Sequence, residues 1–239
     1  MKLAVISGGS RGLGAEIAKG YLRRGFQVLE FSRSAPHAHS VAADFSDPLQ
    51  AVDVIAREFR LLAALDFTEI VIVSNAGTVS PIGPVSRKEP SEVIANLNVN
   101  VTSAILFISE AVRQFQSQPC RKTIVQISSG AALREYFGWS LYCSAKAGME
   151  TFIRALALEQ QAETHPFRAI NIEPGIIDTD MQGSIRSSSE QDFPDLRRFL
   201  EFQKAGALRP AAEVAELILK IVQQESGSGV RRSVRDFGH

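Results

Sequence analysis

A hydroxyl, a phenol and an ammonium stand close together in the chain, at Ser128-Ser129 and at Tyr142-x-x-x-Lys146. Apolar residues around the second pair (Leu141, Ala145, Met149, Phe152, Ile153, Leu156) recur at helical spacing, which sets Tyr142 and Lys146 one turn apart on one helix face. A phenol titrates near ~10 and is a poor acid or base at neutral pH. A cation ~4 Å away, at an effective dielectric of ~20, favours the phenolate by at most ~4 kcal/mol, which bounds the shift at ~2–3 pKa units. A phenol moved that far is within reach of general acid–base chemistry at physiological pH. The same spacing also fits a surface pair on an amphipathic helix, so the decision lies with the rest of the chain.

The elements that must carry these groups follow a regular alternation. Leu3-Ala4-Val5-Ile6 is a short apolar strand that runs into the glycine turn Gly8, Ser10, Arg11, Gly12, Leu13, Gly14, after which Ala15, Ile17, Ala18, Tyr21 and Leu22 keep helical spacing. Strand, glycine turn and helix make a phosphate-binding unit, because backbone can approach a pyrophosphate there and the helix start presents free N–H groups. The spacing is Gly-x-x-x-Gly-x-Gly, which only approximates the common dinucleotide fingerprint and also suits a tight strand-to-helix connection.

Gln27-Val28-Leu29-Glu30-Phe31 reads as the second strand, and Ser32-Arg33 falls ~20 residues past the glycines, where NAD-binding sites carry an acid for the ribose. A hydroxyl and a guanidinium suit a 2′-phosphate instead, with Arg11 approaching from the other side, so NADPH/NADP+ is the expected cofactor. The competing reading leaves Arg33 in solvent and sends Glu30 to the ribose. Ser40 to Ala43 predicts a third strand ending in Asp44-Phe45; Asp44 suits an adenine amino group with the phenyl ring nearby, or a cap for a helix at 48–63.

Ile70-Val71-Ile72-Val73 predicts a strand buried on both faces, leading to Asn75, Ala76 and Gly77 at a ligand crevice or a turn. A long helix over 90–117 then carries Asn96, Asn98 and Asn100, weak helix formers that propensity alone does not explain. Ile124 to Ile127 is another strand with Ser128-Ser129 at its carboxyl end, where open α/β sheets place ligands. The helix over 140–163 follows, then the strand 169–172 ending in Pro174-Gly175. The pattern predicts an α/β fold: a single-domain Rossmann-type doubly wound parallel sheet in three layers (αβα), spanning 1–239. Residues 176–209 break the rhythm with a polar, mobile stretch from Ser184 to Ser189 and a short amphipathic helix of Phe193, Leu196, Phe199, Leu200 and Gln203. That is a substrate lid or an ordinary packed excursion. A helix over 210–223 precedes a tail from Val230 that is an edge strand or frayed.

Composition narrows the function. The chain has 239 residues, 45% hydrophobic, with 26 basic and 26 acidic side chains, so there is no broad footprint for nucleic acid or an anionic membrane. A small-molecule partner is expected. Cys120 and Cys143 make no disulfide framework, and the four histidines lack ligand spacing, so no metal is expected. No signal-type segment stands at the start and no run approaches the ~20 apolar residues of a membrane span, which together predict a soluble cytoplasmic protein.

Taken in order, Gly8-x-x-x-Gly12-x-Gly14, Asn75-Ala76-Gly77, Asn100, Ser129, Tyr142-x-x-x-Lys146 and Pro174-Gly175-x-x-x-Thr179 resemble the short-chain dehydrogenase/reductase family over nearly the whole chain. The resemblance implies that Tyr142 donates a proton to a substrate carbonyl, Ser129 hydrogen-bonds that oxygen, Lys146 holds the nicotinamide ribose and lowers the Tyr142 pKa, and Asn100 positions a water. It extends the cofactor site to Ile177, Thr179 and Met181, and implies a homodimer through the helices at 90–117 and 140–163. Tyr136 to Cys143 and Pro174 to Gln182 resemble sepiapterin reductases and bacterial benzil reductases more narrowly, and the ending Val234-Arg235-Asp236-Phe237 resembles the Val-x-Asp-Phe tail of sepiapterin reductases, with a longer stretch from the preceding Ser-Gly.

These features predict an NADPH-dependent carbonyl reductase acting on a small diketone or α-hydroxycarbonyl compound, with Ser129, Trp139, Tyr142 and Asp236 toward the substrate. Trp139 also suits core packing. Asp236 would accept from the donor edge of a pterin, or else sit in a solvated tail offsetting Arg231, Arg232 and Arg235. The alternatives are an NADP(H)-binding regulator without turnover, against which the proton-donating set speaks, and a dehydrogenase for alcohols or acyl ketones.

Overall fold

A computed structural model describes residues 1–237; Gly238 and His239 of the tail lie outside the described residues. The chain begins β1 (Lys2–Ser7), α1 (Gly12–Arg23), β2 (Gln27–Ser32), β3 (Ser40–Ala42), α2 (Pro48–Ala63) and β4 (Glu69–Ser74). It continues with α3 (Pro90–Leu97), α4 (Ser103–Phe115), β5 (Arg121–Ile127), α5 (Ser140–Glu159) and β6 (Phe167–Glu173). An excursion of β7 (Ile177–Asp178), α6 (Asp180–Arg186), α7 (Leu196–Lys204) and β8 (Arg209–Pro210) precedes α8 (Ala211–Gln224) and β9 (Arg231–Ser233).

Seven strands form one sheet in the order β3-β2-β1-β4-β5-β6-β9, every pairing parallel. Alternate residues of each central strand feed opposite faces, as the period of two requires. Leu3, Val5, Ile70, Ile72 and Ile124 join the core under α2, α4 and α5. Ala4, Ile6, Val71, Val73 and Val125 join the one under α1 and α8. Burial on both faces explains why these strands read as continuous apolar runs. The fold is the expected doubly wound α/β sheet. Its order reverses between β1 and β4, and the loops at the carboxyl ends of those strands diverge to leave a crevice.

The chain departs from expectation in several places. The predicted helix over 90–117 is two helices, α3 and α4, joined by a wide π-turn at Asn98–Thr102. The asparagines explain the break, since each side chain reaches a backbone carbonyl outside the helix. Asn96 Nδ2 donates to Ser80 O at 2.7 Å, Asn98 Nδ2 to Ser46 O at 2.9 Å and Asn100 Nδ2 to Thr78 O at 2.8 Å. Taken together, Pro90–Phe115 is also long and apolar enough, by length and composition alone, to pass for a membrane span. Its apolar side chains Phe107, Ile108, Ala111 and Phe115 are instead fully buried in the core.

Asp47, not Asp44, caps α2: its carboxylate accepts from Gln50 N at 3.2 Å, with Pro48 at the first helical position. The stretch Ser184–Ser189 is not a loose loop. Its first residues lie in α6, and the Ser187 and Ser188 hydroxyls bond back to Ser184 O and Ile185 O. The tail is an edge strand, with β9 parallel to β6.

Candidate active site

The carboxyl ends of the strands enclose a cleft of about 1160 Å³, room for a dinucleotide and a small substrate. Its floor is the turn between β1 and α1. Asn75 fastens that turn to the end of β4, its Nδ2 donating to Ser7 O at 3.2 Å and Gly8 O at 2.9 Å. Ser7 Oγ in return accepts from Asn75 N and Ala76 N at 3.0 and 3.1 Å. Helix α1 packs so close that a Cβ at Gly14 would stand 2.1 Å from Gly8 O. No side chain caps α1, so the first-turn amides of Gly12, Leu13 and Gly14 have no partner within the helix. Uncapped amides at a helix start beside a close backbone turn fit a pyrophosphate.

Toward β2, Glu30 is fully buried and committed: its carboxylate accepts from Gly9 N at 3.1 Å and from Ser32 Oγ at 3.0 Å. It braces the glycine turn from below and is not free to turn to a ribose. Arg33 is exposed and lines the cleft beside Ser32 and Ser34. Arg11 lines the same mouth and forms an ion pair with Asp180 at 3.1 Å. Asp44 borders the cleft, with Oδ1 accepting from Ser46 N and Ser46 Oγ at 2.9 and 2.8 Å. Phe45 also borders it, but the ring is buried against Phe107, edge to face at 6.4 Å, so its phenyl belongs to the core.

At the other end, Ser129, Tyr142 and Lys146 line one wall of the cleft. Ser129 follows β5, and its Oγ accepts from Ala131 N at 3.2 Å, which fixes the hydroxyl at the strand end. Lys146 Nζ donates to Ile127 O at 2.8 Å and lies 5.6 Å from the centre of the Tyr142 ring. Gly77 separates Lys146 from Asn100: a Cβ there would stand 3.1 Å from Asn100 Oδ1 and 3.7 Å from Lys146 Nζ. Asn100 itself does not line the cleft. It grips Thr78 from behind, accepting from Thr78 N at 2.9 Å while donating to Thr78 O.

The electrostatics differ from the sequence expectation. Burial pushes the Tyr142 phenol up to about 12, against a downward pull from the Ser129 hydroxyl. Burial pulls the Lys146 ammonium down to about 8, with Glu150 holding it up. A one-turn spacing shows the attraction between the two groups but not the cost of removing both from water, which here dominates for each. Tyr142 therefore stays protonated at neutral pH, the form that donates a proton to a carbonyl.

Over this wall stands an aromatic cluster. Trp139 is buried, meets Tyr142 edge to face at 5.6 Å and stacks on Phe193 at 4.7 Å. Phe199 from α7 closes on Trp139 at 5.5 Å. Trp139 thus packs in a core and borders the cleft as well. Pro174, Gly175, Ile177, Thr179 and Met181 line the facing side. Asp236 is exposed and does not line the cleft. Val234 is buried and anchors the short turn Val234–Phe237, in which Arg235 lines the cleft instead. The sequence reading also missed Glu173, Phe202 and Arg198. Glu173 had one signal, its place directly before Pro174-Gly175.

The fold and this wall of side chains define a class, and the chain belongs to the short chain dehydrogenase family, whose model matches residues 2–190. It is an oxidoreductase acting on alcohol or carbonyl groups. Among individual proteins, it is 34% identical over 242 residues to a benzil reductase ((S)-benzoin forming) of Bacillus subtilis (strain 168), covering 99% of this chain and 100% of that one. It is 33% identical over 168 residues to the sepiapterin reductase of Bos taurus, covering 67% of this chain and 61% of that one. A crystal structure of a short chain dehydrogenase from Burkholderia cenocepacia J2315 in complex with NADP superposes with a TM-score of 0.74 at 26% identity, covering 97% of this chain and 95% of that one.

Proposed function

We propose that the protein is an NADPH-dependent carbonyl reductase acting on a small diketone or α-hydroxycarbonyl compound. The observation that carries this reading is the wall on which a protonated Tyr142, Ser129 and Lys146 come together under the Trp139 cluster. The α1 amides would hold the pyrophosphate, Arg33 and Arg11 the 2′-phosphate, and Lys146 the nicotinamide ribose. When bound, NADPH supplies the hydride.

The chain's own part is positioning and proton transfer. Ser129 Oγ donates to the substrate carbonyl oxygen and holds it beside the Tyr142 hydroxyl, which gives up its proton as the oxygen becomes an alkoxide. Trp139 and Phe199, backed by the fully buried Phe193, keep water from the reacting carbon and present flat apolar surface to a ring or acyl arm. The excursion over 176–209 serves as the lid, and a second copy would pair through α4 and α5 in the family's manner.

The turned-out position of Asp236 removes the donor-recognising group that a pterin would use, and the 34% identity to a benzil reductase supports the diketone branch. A panel of vicinal diketones, pterins and acyl ketones, followed by loss of NADPH absorbance, tests the assignment. Benzil-type diketones are expected to give the highest kcat/KM. Consumption of acyl-thioester ketones alone would overturn it.

A further inference from the structure

Glu150 lies one turn beyond Lys146 on α5 and is only 2% exposed. Its carboxylate accepts from the Ser128 hydroxyl and from Arg231 Nε at 2.9 Å, while its main-chain carbonyl accepts from Asn171 Nδ2 at 3.2 Å. Arg231 comes from the edge strand β9, and its Nη2 also faces Glu173 at 3.4 Å and the Ser129 carbonyl at 3.5 Å. Arg154, a turn further along α5, stands 3.9 Å from Glu150. A buried ion pair is seldom the most stable filling for such a space, since apolar side chains of like volume do as well or better. Its place is informative: it joins Ser128-Ser129, the helix of Tyr142 and Lys146, and the C-terminal strand.

Lys146 itself is buried, with a neutral carbonyl as its hydrogen-bond partner. Tyr142 and Glu150 stand one turn to either side of it on α5, Ser129 lines the same wall of the cleft, and Asn100 Oδ1 lies across Gly77 from it. Around Glu150 stand Ser128, Arg154 and Arg231, with Glu173 of β6 behind Arg231. Glu150 is therefore the nearest anion on the helix that carries Lys146, and it opposes the burial that strips the ammonium of its proton.

We propose that Glu150 and Arg231 are a positioning pair for this reaction: Glu150 holds the Ser128-Ser129 strand end and keeps Lys146 charged, and Arg231 sets how strongly it does so. The C-terminal strand thereby becomes part of the support of the active site. The proposal rests on Lys146 being the residue that holds the nicotinamide ribose.

The test is the pH dependence of NADPH affinity, read by nucleotide fluorescence on the full chain between about pH 7 and 10, where a lysine depressed from ~10.4 loses its proton. Glu150→Gln keeps the shape and an acceptor for Ser128 but loses the charge, and should move the alkaline fall in affinity down by about one pH unit. Arg231→Gln frees the carboxylate from its nearest cation and should move it up. Glu150→Asp should restore the native position of the fall, whatever it does to kcat. A pair that merely holds the fold would weaken binding at every pH without moving the fall. Coincident curves, shifts of one sign in both variants, or no fall in the native chain would overturn the proposal. Should Glu150→Gln not fold, Arg231→Gln against Arg231→Lys decides alone. Because this readout is binding, it is independent of Tyr142→Phe, whose turnover tests the catalytic assignment.

Discussion

Arg11 in the glycine turn and Asp180 in the first turn of α6 meet at 3.1 Å across the mouth of the cleft, joining the two sides between which a dinucleotide would lie. Both side chains are mostly exposed, at 70% and 73%, so the pair contributes at most ~1 kcal/mol. A 2′-phosphate would compete with Asp180 for the same guanidinium. Asp180→Asn should therefore tighten NADPH binding by up to ~5-fold and leave NADH nearly unchanged. Weaker NADPH binding in this variant would mean that Asp180 holds Arg11 in place for the phosphate.

Cofactor choice has a second handle in Arg33, which is exposed at the cleft while Glu30 is occupied beneath it. A charge-assisted contact to the 2′-phosphate is worth ~1.5–3 kcal/mol, or ~10- to 150-fold. The native chain should prefer NADPH in kcat/KM by at least the lower figure, and Arg33→Asp should abolish or reverse the preference. Equal kcat/KM for the two nucleotides in the native chain would contradict the assignment.

Asn100 holds both the N–H and the carbonyl of Thr78, and Asn100→Ala would leave those groups and Asn96 Oδ1 without this partner. Unmade buried hydrogen bonds cost ~1–3 kcal/mol each. A fall in Tm of roughly 5–10 °C, with a lower kcat, is expected from calorimetry and kinetics on the purified variant. An unchanged Tm would show that the loop after β4 is held by other contacts.

What could be read along the chain was what local pattern encodes. The apolar runs of β1, β4 and β5, the glycine turn and the one-turn spacing of Tyr142 and Lys146 are all properties of a few consecutive residues. What could not be read depends on meetings between distant residues. The three asparagines of the Asn96–Asn100 stretch stood out as odd, but their partners at Ser46, Thr78 and Ser80 come from other loops. Glu150 and Arg231 are 81 residues apart and meet only because β9 pairs with β6.

Two misreadings have narrower causes. The Tyr142 shift had the opposite sign because burial of the whole wall is not visible in a spacing of four. Arg235 rather than Asp236 faces the cleft because the buried Val234 fixes the register of the last turn. The sequence reading offers Asp44 instead of Asp47 as the cap of α2, although an acid directly before Pro48 at a helix start is the usual signal.

The central claim is that Tyr142 gives the proton to the substrate oxygen, and Tyr142→Phe removes that proton while leaving the ring to pack against Trp139. Turnover of the best diketone at saturating NADPH, measured beside NADPH affinity on the same preparation, tests it most directly. The account predicts that kcat falls by ~10²-fold or more with nucleotide affinity almost unchanged. Near-native turnover in Tyr142→Phe would contradict it, since the proton would then come from another group.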